Sequence, residues 1–274
     1  MRFSLAGVQL KFSAVRETEG GLTIPAEGVG GSWILKLPSS IYAGVPENEY
    51  VMMELARHLG MDVPETALIP IDQVQGLPNE MNANGMSTIS THAFIIKRFD
   101  RNANGEGIHI EDFAQVFGVY PESKYKYASY RNIAEVLWAE TGEKGIVEFI
   151  KRIIVNALIG NGDMHLKNWS LIYTDKTKAA LAPAYDFVST IPYIPNDKMA
   201  LTFVDSKAFA SLTYEQLKRF AAKTQLPQAL ILDVAQKTVT AFKQLWNSID
   251  SFPLDKEIIK VINQHLATLP LLKE

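Results

Sequence analysis

The fold assignment turns on Gly160-Asn161-Gly162-Asp163-Met164-His165-Leu166-Lys167-Asn168-Trp169. This loop separates a helical pattern from a strand pattern. On its N-terminal side, residues 145–158 place Ile146, Phe149, Ile150, Ile153, Ile154 and Ala157 on one broad apolar face, enough for a buried central helix. On its C-terminal side, residues 169–173 and 180–184 are short β-like runs. A glycine-rich loop with Asp and Asn favours turns. Set between two buried elements, it presents polar side chains at the rim of a core.

Working outward, the N-terminal flank holds a second helical stretch at 132–140 and then turns β-rich. Residues 92–99, 66–71 and 33–37 read as strands, and residues 4–15 as a turn followed by a strand. Residues 73–90, rich in Asn, Gly and Ser, read as a loop. Between these strands, residues 46–59 form a helix with Val51, Leu55 and Leu59 at four-residue spacing and Gly60 at its stop. The C-terminal flank is helical: 213–223, opened by a capping box of Thr213 and Gln216, then 227–249 and 254–269. Trp33, Trp138, Trp169 and Trp246 are expected in the core. No internal repeat is visible. The order predicts an α+β chain of two lobes, a β-rich lobe at 1–101 and a helical lobe at 102–274. The division falls at the turn-rich run 102–107.

Composition narrows the function. With 274 residues, 47% of them apolar and 21% charged, the chain has ample material for a folded core, so general disorder is excluded. Lys and Arg total 27 against 30 Asp and Glu, which argues against direct nucleic-acid binding by the whole chain. The absence of cysteine removes disulfides, thiolate nucleophiles and cysteine metal sites, and fits a reducing cytoplasm. No apolar run approaches the roughly 18 residues that span a bilayer, and the N-terminus lacks the apolar core of a secretory signal. The five histidines are scattered, without the paired spacing of a zinc helix.

Asp163 and Asn168 are five residues apart, the Asp-x-x-x-x-Asn spacing of a protein-kinase catalytic loop. A carboxylate there accepts the proton of an attacking hydroxyl, and an amide oxygen five residues on can hold Mg²⁺ against phosphates. Lys167 lies between them and could offset charge on a transferred phosphoryl group. Asp186, in Ala184-Tyr185-Asp186-Phe187 after an apolar run, supplies the second carboxylate that such a metal needs. An Asp after a strand is also an ordinary turn former. Lys36 stands in the apolar run Ile34-Leu35-Lys36-Leu37-Pro38, and Glu49 opens the helix that follows. A strand Lys paired with a helix Glu is the kinase grip on α and β phosphates. Equally, a strand lysine can snorkel outward, and acids favour a first helical turn.

Together these segments resemble the HipA family of serine/threonine kinases, the toxins of bacterial HipA–HipB toxin–antitoxin modules. The resemblance rests on Ser4-Leu5-Ala6-Gly7-Val8-Gln9-Leu10-Lys11, Ile34-Leu35-Lys36-Leu37-Pro38, Glu47-Asn48-Glu49-Tyr50, Lys97-Arg98-Phe99-Asp100-Arg101, Glu111-Asp112-Phe113-Ala114-Gln115-Val116-Phe117-Gly118, Gly162-Asp163-Met164-His165-Leu166-Lys167-Asn168 and Ala184-Tyr185-Asp186. It covers nearly the whole chain. It implies a two-lobed protein-kinase-like fold and the cofactors ATP and Mg²⁺. Asp163 would be the catalytic aspartate, and Asn168 and Asp186 the metal ligands. Lys36 would contact the phosphates with Glu49 as its ion-pair partner. Ala6, Gly7, Val8, Gln9, Leu10 and Lys11 would form the phosphate loop. Lys97, Arg98 and Phe99 would be the hinge at the adenine, and His165, Lys167 and Tyr185 would also lie around the nucleotide. Ser4 matches the family's autophosphorylated serine, whose modification is linked to displacement of the phosphate loop. A phosphate there adds about two negative charges beside an anionic site.

The resemblance further implies a cognate antitoxin, HipB-like or HipS-like, and a protein substrate of the aminoacyl-tRNA synthetase class. The chain starts almost at the serine motif, which makes it similar to the split form HipT, where a separate protein, HipS, replaces an N-terminal subdomain; truncation would look the same. Met164 replaces a common Gly, and Val188 follows Phe187, so there is no Asp-Phe-Gly motif. Two other readings share the same residues. The Gly-Asp-x-His-x-x-Asn pattern also resembles aminoglycoside and choline phosphotransferases, and a non-catalytic antitoxin-binding module would keep the fold alone.

Overall fold

The computed structural model describes residues 9–17, 21–25, 30–77 and 91–273. Strands β1 (Lys11–Arg16), β2 (Leu22–Thr23), β3 (Trp33–Lys36), β4 (Thr66–Pro70), β5 (Val74–Gln75) and β6 (His92–Lys97) form a six-stranded sheet in the order β4-β6-β3-β1-β2-β5. All neighbours are antiparallel except β2 and β5, which run parallel. β5 lies inside the stretch read as a loop. With two residues, it carries no alternation to detect.

Period-two alternation along β6 sends Ala93 and Ile95 to one face of the sheet, where they join Trp33, Leu35, Ile69 and Val74 in a small core. It sends Phe94 and Ile96 to the other face, against α1 (Val45–His58). α1 begins after Gly44, whose φ of 68° is left-handed, and Pro46 suits its first turn. Its apolar stripe of Val51, Met52, Leu55 and Ala56 is fully buried between the sheet and the helical half. The face of the sheet that carries Phe94 and Ile96 therefore shares one core with the helices.

The helical half is built on α3 (Tyr130–Leu158), which follows the single-turn α2 (Phe113–Val116). α3 is broken at Gly142, where φ 62° and ψ −150° leave the helical region. The two helical stretches legible in the sequence are thus one element with a glycine break. α4 (Tyr214–Thr224) and α5 (Gln228–Trp246) pack on α3, and α6 (Lys256–Thr268) closes the chain. A second sheet of β7 (His109–Asp112), β8 (Ser170–Tyr173) and β9 (Ala180–Leu181), in the order β7-β8-β9, lies beside α3.

The fold is α+β, with a β-rich lobe and a helical lobe. Two expectations need correction. Trp138 is 38% exposed while Trp33, Trp169 and Trp246 are buried, because it points off the stripe made by Ile133, Ala134 and Leu137. Thr213 caps α4 by accepting from Gln216 N at 3.1 Å, but the Gln216 side-chain oxygen is buried without a partner among the described residues, so the box is half made. Complete capping boxes occur instead at Asp112 with Gln115 and at Ser129 with Asn132. Among the described residues no helix is long and apolar enough to cross a membrane.

Candidate active site

β3 delivers Lys36 into the seam between the lobes, where only 4% of it is exposed. Its ammonium bonds Glu49 Oε1 from α1 and Asp186 Oδ1 from the segment after β9. Lys11 of β1 places Nζ 3.9 Å from the other Asp186 oxygen. Burial pushes the Lys36 ammonium down, but the two carboxylates outweigh it and hold the group above its usual range. Burial likewise pushes Asp186 up, and the opposing charges of Lys36 and Lys11 more than reverse it, so the carboxylate is held well below its ordinary value. Glu49 moves the other way, because burial outweighs the share of the Lys36 charge left to it. Asp186 has a φ of 57°. Left-handed backbone is uncommon outside glycine, and Asp is among the residues that tolerate it best.

The loop at 160–168 is held from beneath. Asn161 Oδ1 accepts the Asp163 amide at 2.9 Å, and its Nδ2 reaches Asn156 Oδ1 at 2.7 Å. Asn168 Nδ2 donates to the Asp163 carbonyl at 2.9 Å. Gly162 serves a close approach as well as a turn: a Cβ there would stand 2.0 Å from Asp197 Oδ2. Asp163 itself is 5% exposed and accepts a hydrogen bond from the Tyr125 hydroxyl. His165 Nε2 lies 3.8 Å from the same Asp163 oxygen. Burial lowers the His165 ring to about 4, against the opposing pull of Asp163, so the imidazole is neutral near pH 7.

Lys36, Glu49, Asp163 and Asp186 line one small gap, with Gln9 across from them. Gln9 is 8% exposed, and its Nε2 has no partner among the described residues. A buried donor left unpaired is costly, and Gln9 lines the same gap as the Lys36 ammonium. Next to the gap, and sharing Lys36 and Asp186 with it, is a cavity of about 340 Å³ between the two sheets. Ile34, Ile96 and Ile110 give it apolar walls. Phe99 and Tyr185 also line it, their rings 5.5 Å apart and tilted by 35°. The Tyr185 hydroxyl is tied to Ser170 Oγ at 2.6 Å and to the Lys167 carbonyl at 2.9 Å, which fixes the ring. Lys167 lines the same cavity and pairs with Asp112 Oδ2 at 2.6 Å.

Lys97 and Arg98 also line this cavity, but their amides and side chains are engaged elsewhere. The amides of Lys97 and Arg98 donate to Glu65 O at 2.8 Å and Ser32 O at 2.7 Å, so two of the three hinge N–H groups are already used. Arg98 is locked on Asp100 through two bonds, at 2.9 and 2.7 Å, and the Lys97 ammonium lies near Glu65 at the surface. Leu10 is 53% exposed. Ser4, Ala6, Gly7 and Val8 lie outside the described residues.

The same architecture recurs in a known family. The family described as HipA-like C-terminal domain matches residues 3–246. The chain belongs to this HipA-like family. It is 51% identical over its whole length to "Putative kinase Y4dM" of Sinorhizobium fredii, 66% of which it covers. It is 25% identical over 84% of its length to the serine/threonine-protein kinase toxin HipA of Shewanella oneidensis, covering 53% of that protein. The chain thus spans between half and two thirds of these HipA-like relatives. The solved complex of Shewanella oneidensis HipA with HipB and operator DNA matches 99% of the chain and 64% of its own at a TM-score of 0.73 and 23% identity, which establishes the HipA fold.

Sequence reading missed Tyr125, Asn161 and Asp112. Asn161 carried a faint signal, since Asn two residues before an amide it accepts from is an Asx turn. Asp112 carried a clear one, the cap pattern with Gln115. Tyr125 lies 38 residues from Asp163, and no local pattern links them.

Proposed function

We propose that the chain is an ATP-dependent protein kinase that phosphorylates serine or threonine. The observation that carries this reading is the gap shared by Lys36, Glu49, Asp163 and Asp186 beside a cavity with apolar walls. Adenine fits between the sheets against Phe99 and Tyr185. The phosphates reach Lys36, Lys11 and the Gln9 amide. An acceptor hydroxyl attacks the γ-phosphorus in line: its O–P bond forms as the bond to the β–γ bridging oxygen breaks, ADP leaves with the electron pair, and the proton passes to Asp163.

The donor set fits magnesium, a hard cation that prefers oxygen. Asp186 is held ionised and Asn168 offers an amide oxygen. Among the described residues no three His, Asp or Glu side chains could hold a metal, so water and phosphate oxygens would complete the shell. When bound, the ion neutralises charge on the phosphates.

Membership of the HipA-like family supports the finer assignments. These are a role as toxin of a HipA-type toxin–antitoxin module, autophosphorylation at Ser4, a HipB-like or HipS-like antitoxin as partner, an aminoacyl-tRNA synthetase as substrate, and a cytoplasmic site of action. The relative named a serine/threonine-protein kinase toxin favours a hydroxyl acceptor on protein over a metabolite. Incubation with Mg²⁺ and ATP should place phosphate on Ser4, read by mass spectrometry. Asp163→Asn should lower the transfer rate by about 10²–10⁴. Transfer at the wild-type rate by Asp163→Asn would overturn the assignment.

A further inference from the structure

Tyr125 has no part in the chemistry proposed above, yet its hydroxyl donates to Asp163 Oδ1. A neutral hydroxyl on that carboxylate is the contact an acceptor serine, threonine or water would make at the start of transfer. The phenol is carried by residues 120–127, a strap that leads into α3. Its two ends are surface tyrosines, Tyr120 at 76% and Tyr127 at 83% exposure. The Tyr125 ring packs against the main core, and two of the strap's hydrogen bonds to the helical lobe are long. The Leu166 amide donates to the Lys124 carbonyl at 3.3 Å, and Lys207 Nζ donates to the Tyr125 carbonyl at 3.3 Å. Lys207 makes its shorter bond, 2.7 Å, to Ala200 O instead. At the strap's end Tyr127 has a φ of 64°. A bulky side chain in the left-handed region is strained and relaxes if the segment moves. Beneath the phenol, the His165 ring meets the Tyr125 ring edge-on at 5.1 Å and 78°. Both His165 nitrogens lack a hydrogen-bond partner among the described residues. The imidazole meets the phenol by ring packing rather than by a hydrogen bond.

We propose that Tyr125 is a resident occupant of the acceptor position. Its hydroxyl occupies the carboxylate and keeps water off it until a protein segment bearing an aliphatic hydroxyl displaces the strap. The inference rests on the kinase reading and adds a residue that sets specificity against water. Tyr125→Phe keeps the ring and removes the donor, which opens Asp163 to water. The O–P bond to water then forms as the bond to ADP breaks, with the water's proton passing to Asp163.

The test uses the full chain with Mg²⁺ and ATP and no added protein, and measures ADP release, phosphate on the protein and thermal unfolding. Tyr125→Phe should raise kcat for ATP hydrolysis about tenfold, the worth of one hydrogen bond to a charged group. The KM for ATP should stay within about twofold, because nothing that meets the nucleotide changes. Lys207→Met, outside the cleft, should raise hydrolysis in the same direction by loosening the strap. It keeps the idea testable if Tyr125→Phe does not fold. Unchanged or slower hydrolysis in a folded variant would overturn the proposal, since the phenol would then orient the carboxylate or do nothing. Phosphate found on Tyr125 of the wild type would also overturn it, by making the residue an acceptor. If neither wild type nor variants release ADP, the kinase reading itself fails. If wild type turns over and both variants match it, only the role of Tyr125 fails.

Discussion

Lys36 is held between two carboxylates, with a second ammonium close to one of them, whereas Asp163, across the same gap, is met by a phenol and an uncharged imidazole. The first cluster is an arrangement of full charges in a dry seam. Its members are costly to bury singly and tolerable only together. In the second, the groups that bond or pack on the carboxylate are neutral, with the Lys124 ammonium acting on it at longer range. The contrast matches what each side would handle. Phosphates and a metal ion arrive with fixed charge and need an organised field. An acceptor hydroxyl is neutral, varies from protein to protein, and must come and go.

The largest effect should follow from breaking the charged cluster. Lys36→Met leaves Glu49 and Asp186 buried without their shared cation. Removing one partner of a buried pair costs about 3–5 kcal/mol, and urea unfolding should show a loss of that size. Adding Glu49→Gln to the same variant should recover part of it by deleting one orphaned charge. Asp163→Asn, which still accepts from Tyr125, should change stability by less than about 1 kcal/mol. Equal losses for Lys36→Met and Asp163→Asn would erase the distinction between the two sides.

A smaller effect should separate the sides by pH. His165 titrates at about 4 in the folded chain, because burial disfavours its charged form. Its ordinary value is near 6.5. Between these values the unfolded chain binds the extra proton, so stability falls as pH drops from 6.5 toward 4 and levels off below. At about 1.4 kcal/mol per pH unit, the full loss across that window is roughly 3–4 kcal/mol. His265, lowered by burial and bonded to the Ala157 carbonyl at 2.8 Å, adds loss of the same sign in that window. His165→Phe should therefore reduce, not abolish, the slope measured by thermal unfolding without magnesium. A slope unchanged by the substitution would mean that the imidazole is not held neutral.

What could be read from the sequence follows the same division. Lys36, Glu49, Asp163 and Asp186, which the fold brings to one gap, were legible as candidates because charged residues in or beside apolar runs, at fixed spacings, need a reason to be there. Lobe order was legible because the hydrophobic period changes from two to 3.6 along the chain. Tyr125 was not, since a tyrosine in a polar stretch is unremarkable until the fold carries it to Asp163. The committed hinge amides of Lys97 and Arg98 escaped notice because backbone pairing depends on register, which side-chain patterns do not specify. Trp138 was misplaced because its size outweighed its position on the helix.

The smallest effect concerns Asp112, where a cap and an ion pair coincide. Its Oδ1 accepts from Gln115 N at 2.9 Å to start α2, and its Oδ2 holds Lys167 at the rim of the cavity. Asn caps a helix as well as Asp. Asp112→Asn should therefore keep the turn and release only the lysine, with a stability change below about 1 kcal/mol since that pair is partly exposed. Asp112→Ala should lose the cap as well, about 1 kcal/mol further. If Lys167 belongs with the charged side, Asp112→Asn should change the KM for ATP by several-fold while stability barely moves, because the freed ammonium turns from the cavity rim to solvent. A KM that changes only in Asp112→Ala would assign the effect to the turn and leave Lys167 outside the nucleotide's field.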